Sequence, residues 1–143
     1  MQERPLVDVV ADIETLSKKI ASTQGEAVTA AQGDPESLSL TILRIARYNS
    51  ALGKHAAHAK YIARNADRAA RRFRAEQTLN LSKTQAVNKS ELQAELDSAD
   101  QFRTASDAQL IADEADDLTY RTDTFLKMAQ SRLSLIKGDV KRG

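Results

Sequence analysis

The chain has no cysteine and no tryptophan, and phenylalanine and tyrosine bring aromatics to only 4% of 143 residues. Without cysteine there are no disulfides and no thiolate-ligated zinc, which fits a reducing compartment. So few aromatics exclude a compact core of large rings. Proline and glycine are just as scarce: between Pro35 and Gly138 there is no proline, and Gly53 is the only glycine. Over that stretch nothing forces a helix to end. No window approaches ~18 consecutive apolar residues, so no membrane-spanning helix is expected. The N-terminal run MQERPLVDVVADIE is too acidic and too interrupted for a signal peptide. The expectation is a soluble chain in the cytoplasm.

What is abundant is alanine, leucine and charge, a composition that favours long helices. The charge is sorted into blocks. Residues 44–74 carry nine Arg and Lys against Asp67, a net +8, while residues 91–123 carry ten Asp and Glu against Arg103 and Arg121, a net −8. The whole chain is nevertheless near neutral at +1.

Periodicity divides the chain into a short N-terminal helix within 1–24, a linker at 25–34 and a helical hairpin at 35–143. Pro5 opens the first helix, and Leu6, Val9, Ile13, Leu16 and Ile20 form its apolar stripe, which stops before Gly25. Asp34-Pro35-Glu36 reads as a capped helix start. Helix A, about 35–76, carries the stripe Ile45, Tyr48, Leu52, His55, Ala59, Ile62, Ala66, Ala69, Phe73 at coiled-coil spacing. A turn at 77–90 ends in the capping-box pattern Ser90–Gln93. Helix B, about 91–137, has apolar positions including Leu92, Leu96, Ala99, Phe102, Leu110, Ile111, Ala115, Leu118, Phe125, Ala129, Leu133 and Ile136, ragged around 103–109, and Gly138 is its stop. Folding the hairpin at 83 or 84 sets the basic block against the acidic one. The predicted fold is therefore all-α, a long antiparallel helical hairpin or coiled coil with a short N-terminal helix. Such a hairpin leaves apolar surface wet, so self-association is expected, with Leu118, Phe125, Ala129, Leu133 and Ile136 as the oligomerisation stripe.

No nucleophile triad, phosphate loop or dinucleotide fingerprint occurs, so an enzyme is not expected. His55 and His58 share a face, but the Glu-x-x-His element of di-iron bundles is missing. His55 reads as a polar position that sets register. The run Asp113, Glu114, Asp116, Asp117 lacks the spacing of a calcium loop and reads as a solvated or arginine-paired face. No cofactor or metal is expected.

The basic residues carry the functional reading. Lys60, Arg64, Arg68, Arg71 and Arg72 recur along one helical face, and Arg74, Lys83 and Lys89 extend the positive region to the turn. A second basic group, Lys127, Arg132, Lys137, Lys141 and Arg142, stands at the other end. Unpaired cations of this kind bind phosphates, and Tyr61 or Phe73 could stack on single-stranded bases, although Phe73 also belongs to the stripe.

Residues 126–137 (LKMAQSRLSLIK), preceded by 107–114 (DAQLIADE) and Tyr120, resemble the UvsY-type recombination mediators of tailed phages. The similarity covers roughly 44–140, including the order basic helix, turn, acidic helix, basic end. It implies a helical protein that assembles into rings, binds single-stranded DNA and helps load a recombinase onto strands coated by a single-strand-binding protein. Family contacts to DNA would fall on Arg68, Arg71, Arg72 and Arg74. The alternative is a structural or adaptor coiled coil, such as a virion component or protein-binding regulator, that does not bind DNA. The ±8 cancellation favours that alternative.

Overall fold

The computed structural model describes residues 4–142, with side chains up to Gly138. It is all-α: α1 (Leu6–Ala30), α2 (Pro35–Leu81) and α3 (Val87–Arg142). The long pair α2 and α3 forms an antiparallel hairpin, and α1 folds back along its lower half.

The first helix passes through Gly25 and ends at Ala30, six residues beyond its expected end, so the linker shrinks to a tight turn. Glycine inside a helix costs about 1 kcal/mol relative to alanine. Here Ala27 and Ala30 pack against Leu38, Ile42 and Ile45 of α2 and Leu126, Ala129 and Ile136 of α3, which offsets it. The turn then needs a glycine: Gly33 sits at φ +147°, where a side chain would be strained. Asp34 follows, its carboxylate accepting from the Ser37 amide at 3.1 Å, with Pro35 at the first helical position.

The hairpin turn is also tighter than 77–90. The second helix continues to Leu81 and the third begins at Val87. Ser90 is no cap: its hydroxyl donates to the Ala86 carbonyl at 3.0 Å, and the side chain is fully buried in the seam against α2. Gln93 correspondingly bonds Asp97 at 2.8 Å and does not reach back to Ser90.

α1 divides the hairpin into two regions. Where it is present, three helices enclose Val9, Ile20, Leu38, Ile45 and Leu52, all essentially inaccessible. Its start, Arg4 to Leu6, lies beside Tyr61, Ile62 and Ala66. Beyond that point α2 and α3 continue alone as a two-helix arm. Its seam is built from Ala63 and Ala70 against Ser90, Ala94, Ser98 and Ala105. Leu92, Leu96 and Leu110, expected in the stripe, instead face outward with 60%, 63% and 57% of their surface exposed. The reason is phase. Ile136, Leu133, Ala129, Leu126 and Thr122 fix which face of α3 points inward, and steps of three and four back from them reach Ala115, Ala112, Ala108 and Ala105. The leucines fall on the far side of the same rigid helix.

Candidate nucleic-acid interface

The two charge blocks stand side by side, but few of their charges touch. Across the hairpin, Lys60 pairs with Asp116, and Arg74 approaches Glu95 at 3.8 Å. Two more pairs stay within one helix, Arg71 to Asp67 at 2.8 Å and Arg121 to Asp117 at 3.0 Å, and Arg44 pairs with Glu26 of α1 at 2.9 Å. The remaining cations point off the outer surface. Register in the bundle region is marked by Asn49, 6% exposed, whose amide donates to the Thr119 carbonyl at 3.3 Å and to Asp123 at 3.1 Å.

Among the eight expected DNA-contacting residues, Arg64, Arg68, Arg72, Lys83 and Lys89 are exposed and make no ion pair with the described residues. Lys60, Arg71 and Arg74 are the paired ones. The eight do not share one face. Arg64, Arg68 and Arg71 follow at steps of four and three along the side of α2 away from α1. Arg71 and Arg74 line a groove of about 810 Å³ with Leu79, Val87, Glu91 and Phe102. Arg72 opens instead onto the α1 side, beside Ala69 and Phe73.

The aromatic residue on the basic side is therefore Phe102, which was read as part of the apolar stripe. Phe73, half-buried, lines the opposite groove. Tyr61 is half-buried beside Arg4, Pro5 and Leu6, and its ring meets the ring of His58 edge-on at 6.5 Å. The signal for Phe102 lay in the same heptad phase: it stands three residues before the seam residue Ala105 and four after Ser98, on the edge of the buried face.

The five residues expected to mediate oligomerisation are used inside the chain. Phe125, Ala129, Leu133 and Ile136 pack with α1 and α2 around Leu38 and Ile42, and Leu118 packs against Ile20 and Leu52. The added end of α1, Ala27 and Ala30, joins α2 in covering all of them but Leu118. At the same end, Arg132 donates from Nε to the Ala31 carbonyl at 2.9 Å, capping the exit of α1. Of the second basic group, the side chains of Lys141 and Arg142 lie outside the described residues.

The histidines face α1. His55 Nδ1 stands 3.9 Å from the carboxylate of Asp12, which also accepts from Arg4 at 2.7 Å. The hydrogen bond from Arg4, with smaller contributions from the charges of Arg4 and His55, holds the Asp12 carboxyl below its ordinary pKa. The acidic run on α3 is engaged by neighbours: Asp113 accepts from Gln109, Asp116 from Lys60 and Asp117 from Arg121. Among the described residues no three metal-binding side chains converge. Nor is any helix among them long and apolar enough to cross a membrane.

Comparison with models of known protein families, with curated proteins and with solved structures gives no match.

Proposed function

We propose that this chain is a non-enzymatic recombination mediator that binds single-stranded DNA along the outer side of the arm and helps load a recombinase. The observation that carries the DNA-binding part is the set of exposed cations Arg64, Arg68, Lys83 and Lys89, which pair with none of the described residues, next to the groove of Arg71, Arg74 and Phe102. The cations meet phosphates, and the ring offers a face to a base. The resemblance of residues 107–137 to UvsY-type mediators supplies the recombinase and the single-strand-binding protein as further partners. The reading includes a homo-oligomer, in which repeated arms make weak sites polyvalent. Because Leu118, Phe125, Ala129, Leu133 and Ile136 are occupied within the chain, its contacts fall to exposed residues such as Leu92, Leu96 and Leu110.

The test is binding to a fluorescent single-stranded oligonucleotide across a salt series, with particle mass recorded alongside. Wild-type affinity should fall steeply with salt. Replacing Arg64, Arg68 and Lys83 together by Glu should weaken binding about tenfold or more and flatten the salt dependence. A triple variant that keeps wild-type affinity and a native circular dichroism spectrum sinks the reading. A structural or adaptor coiled coil is the second reading, and the neutralising pairs Lys60–Asp116 and Arg74–Glu95 favour it. It expects a defined oligomer that ignores DNA near about 0.15 M salt, where surface charges are screened beyond ~8 Å.

A further inference from the structure

The side of the arm that faces the same way as α1 has a different character. Ile62, beside the start of α1, is followed at steps of four, three and four by Ala66, Ala69 and Phe73. These three continue onto the arm the line of α2 that α1 covers below. With Arg72, Gln101 and Thr104 they line an open groove of about 400 Å³. On α2 the groove runs from Ala66 to Glu76, roughly 15 Å or three helical turns, within the reach of a docked helix of about 16 residues. Ala66 and Ala69 leave room for a close approach.

α1 shows what this track accepts. Its apolar residues Val9, Ile13 and Ile20 enter the cores, while on its edge toward α3 Glu14 and Lys18 share a cleft with Glu114, Asp117 and Arg121. The same rim of α3 continues onto the arm. Asp107 and Asp100 stand one and two heptads before Glu114, and Asp97 stands one heptad before Thr104. Asp97, Asp100 and Asp107 are exposed and make no ion pair with the described residues. Arg72 is the one cation among the residues lining the groove. An apolar floor with small residues and an acidic rim selects an amphipathic helix with a basic flank, and repels a nucleic acid.

We propose that this groove docks a lysine- or arginine-flanked amphipathic helix of a partner protein, laid end to end with α1 and antiparallel to α2. The site is separate from the basic side of the arm, and the proposal does not depend on DNA binding there.

The probe is a synthetic 16-residue helix with an alanine–leucine stripe at alternating steps of three and four and lysines along one flank. Its twin carries glutamates in place of the lysines. The full-length chain should bind the lysine peptide and not the twin. Ala69→Glu, at an exposed position, should weaken the lysine peptide about tenfold or more. Reversing the rim with Asp100→Lys and Asp107→Lys should shift preference toward the glutamate twin. Thermal melts confirm that each variant is folded, and oligonucleotide affinity of Ala69→Glu should stay within about twofold of wild type. Equal binding of the two peptides, no binding of either, or indifference to Ala69→Glu overturns the proposal. If Ala69→Glu lowers the particle mass, the occupant is a second copy and the partner helix is wrong. If it abolishes oligonucleotide binding, the groove belongs to DNA and the proposal fails.

Discussion

The bundle region and the arm are made from the same two helices, yet they are stabilised differently. In the bundle a third helix lets Ile20, Leu38, Ile45 and Leu52 lose all contact with water. Each such side chain contributes about 1.5–3 kcal/mol of transfer free energy. In the arm the equally buried positions are Ala70, Ala94, Ser90 and Ser98, which remove far less apolar area from water. Small residues bring α2 and α3 close together but stabilise little. The arm holds its shape because its helices are continuous with those of the bundle. The comparison teaches that the region rich in buried volume is the scaffold. The region poor in it leaves two sides open, one basic and one acidic-rimmed.

The sharpest way to break this comparison is to remove one large side chain from each region. Leu52→Ala should cost about 2–5 kcal/mol in urea unfolding, whereas Leu96→Ala on the outer face of the arm should stay within about 0.5 kcal/mol. Equal losses would mean that the arm's leucines are buried, in an oligomer for example. Next in size, Ala70→Leu overfills the close seam of the arm, where the side chain is fully buried. It should cost about 1–3 kcal/mol, and amide exchange should accelerate over 63–105 before it does in the bundle. Faster exchange in α1 first would reverse the assignment of scaffold and arm.

A smaller effect of opposite sign is expected at Gly25, inside α1, where an added Cβ meets nothing within 4 Å. Gly25→Ala should raise stability by about 0.5–1 kcal/mol in thermal or urea unfolding, since it lowers the cost of carrying α1 to Ala30. The smallest effect is at Asp12. Its folded-state pKa lies below the unfolded value. Its contribution is therefore present above about pH 4 and is lost as the pH falls through the lowered folded value. In an acid titration Asp12→Asn should flatten that part of the stability profile and loosen the start of α1 beside Ile62. An unchanged profile would show that Arg4 and His55 do not anchor it.

Much of the architecture was legible in the residues. The spacing of Ile45, Leu52, Ala59 and Ala66 and the Asp34-Pro35 start marked the second helix, and the scarcity of breakers marked the third, although Gly138 is not its stop: α3 runs through it to Arg142. The eight basic residues were visible too, as members of a block. Helix ends were misjudged where tertiary contacts outweighed a local signal: the packing of Ala27 and Ala30 carried α1 past Gly25, and burial placed Ser90 in the seam. The apolar stripe of α3 was misjudged for another reason. Leucine is a stronger hydrophobic signal than alanine, but the inward face is fixed by phase over the whole helix and not by the residue at any one position.

By itself, then, the sequence determined that the chain is helical, that it doubles back antiparallel and that its charge is divided between the two long helices. Those properties depend on composition and on spacing along a single helix. Only the tertiary structure decided where α1 ends and which face of α3 turns inward. It alone put Arg72 and Phe73 on one side of the arm and Arg71 and Phe102 on the other. A side chain one position along is turned by about 100°, so neighbours in sequence part company as soon as a second helix fixes the inside.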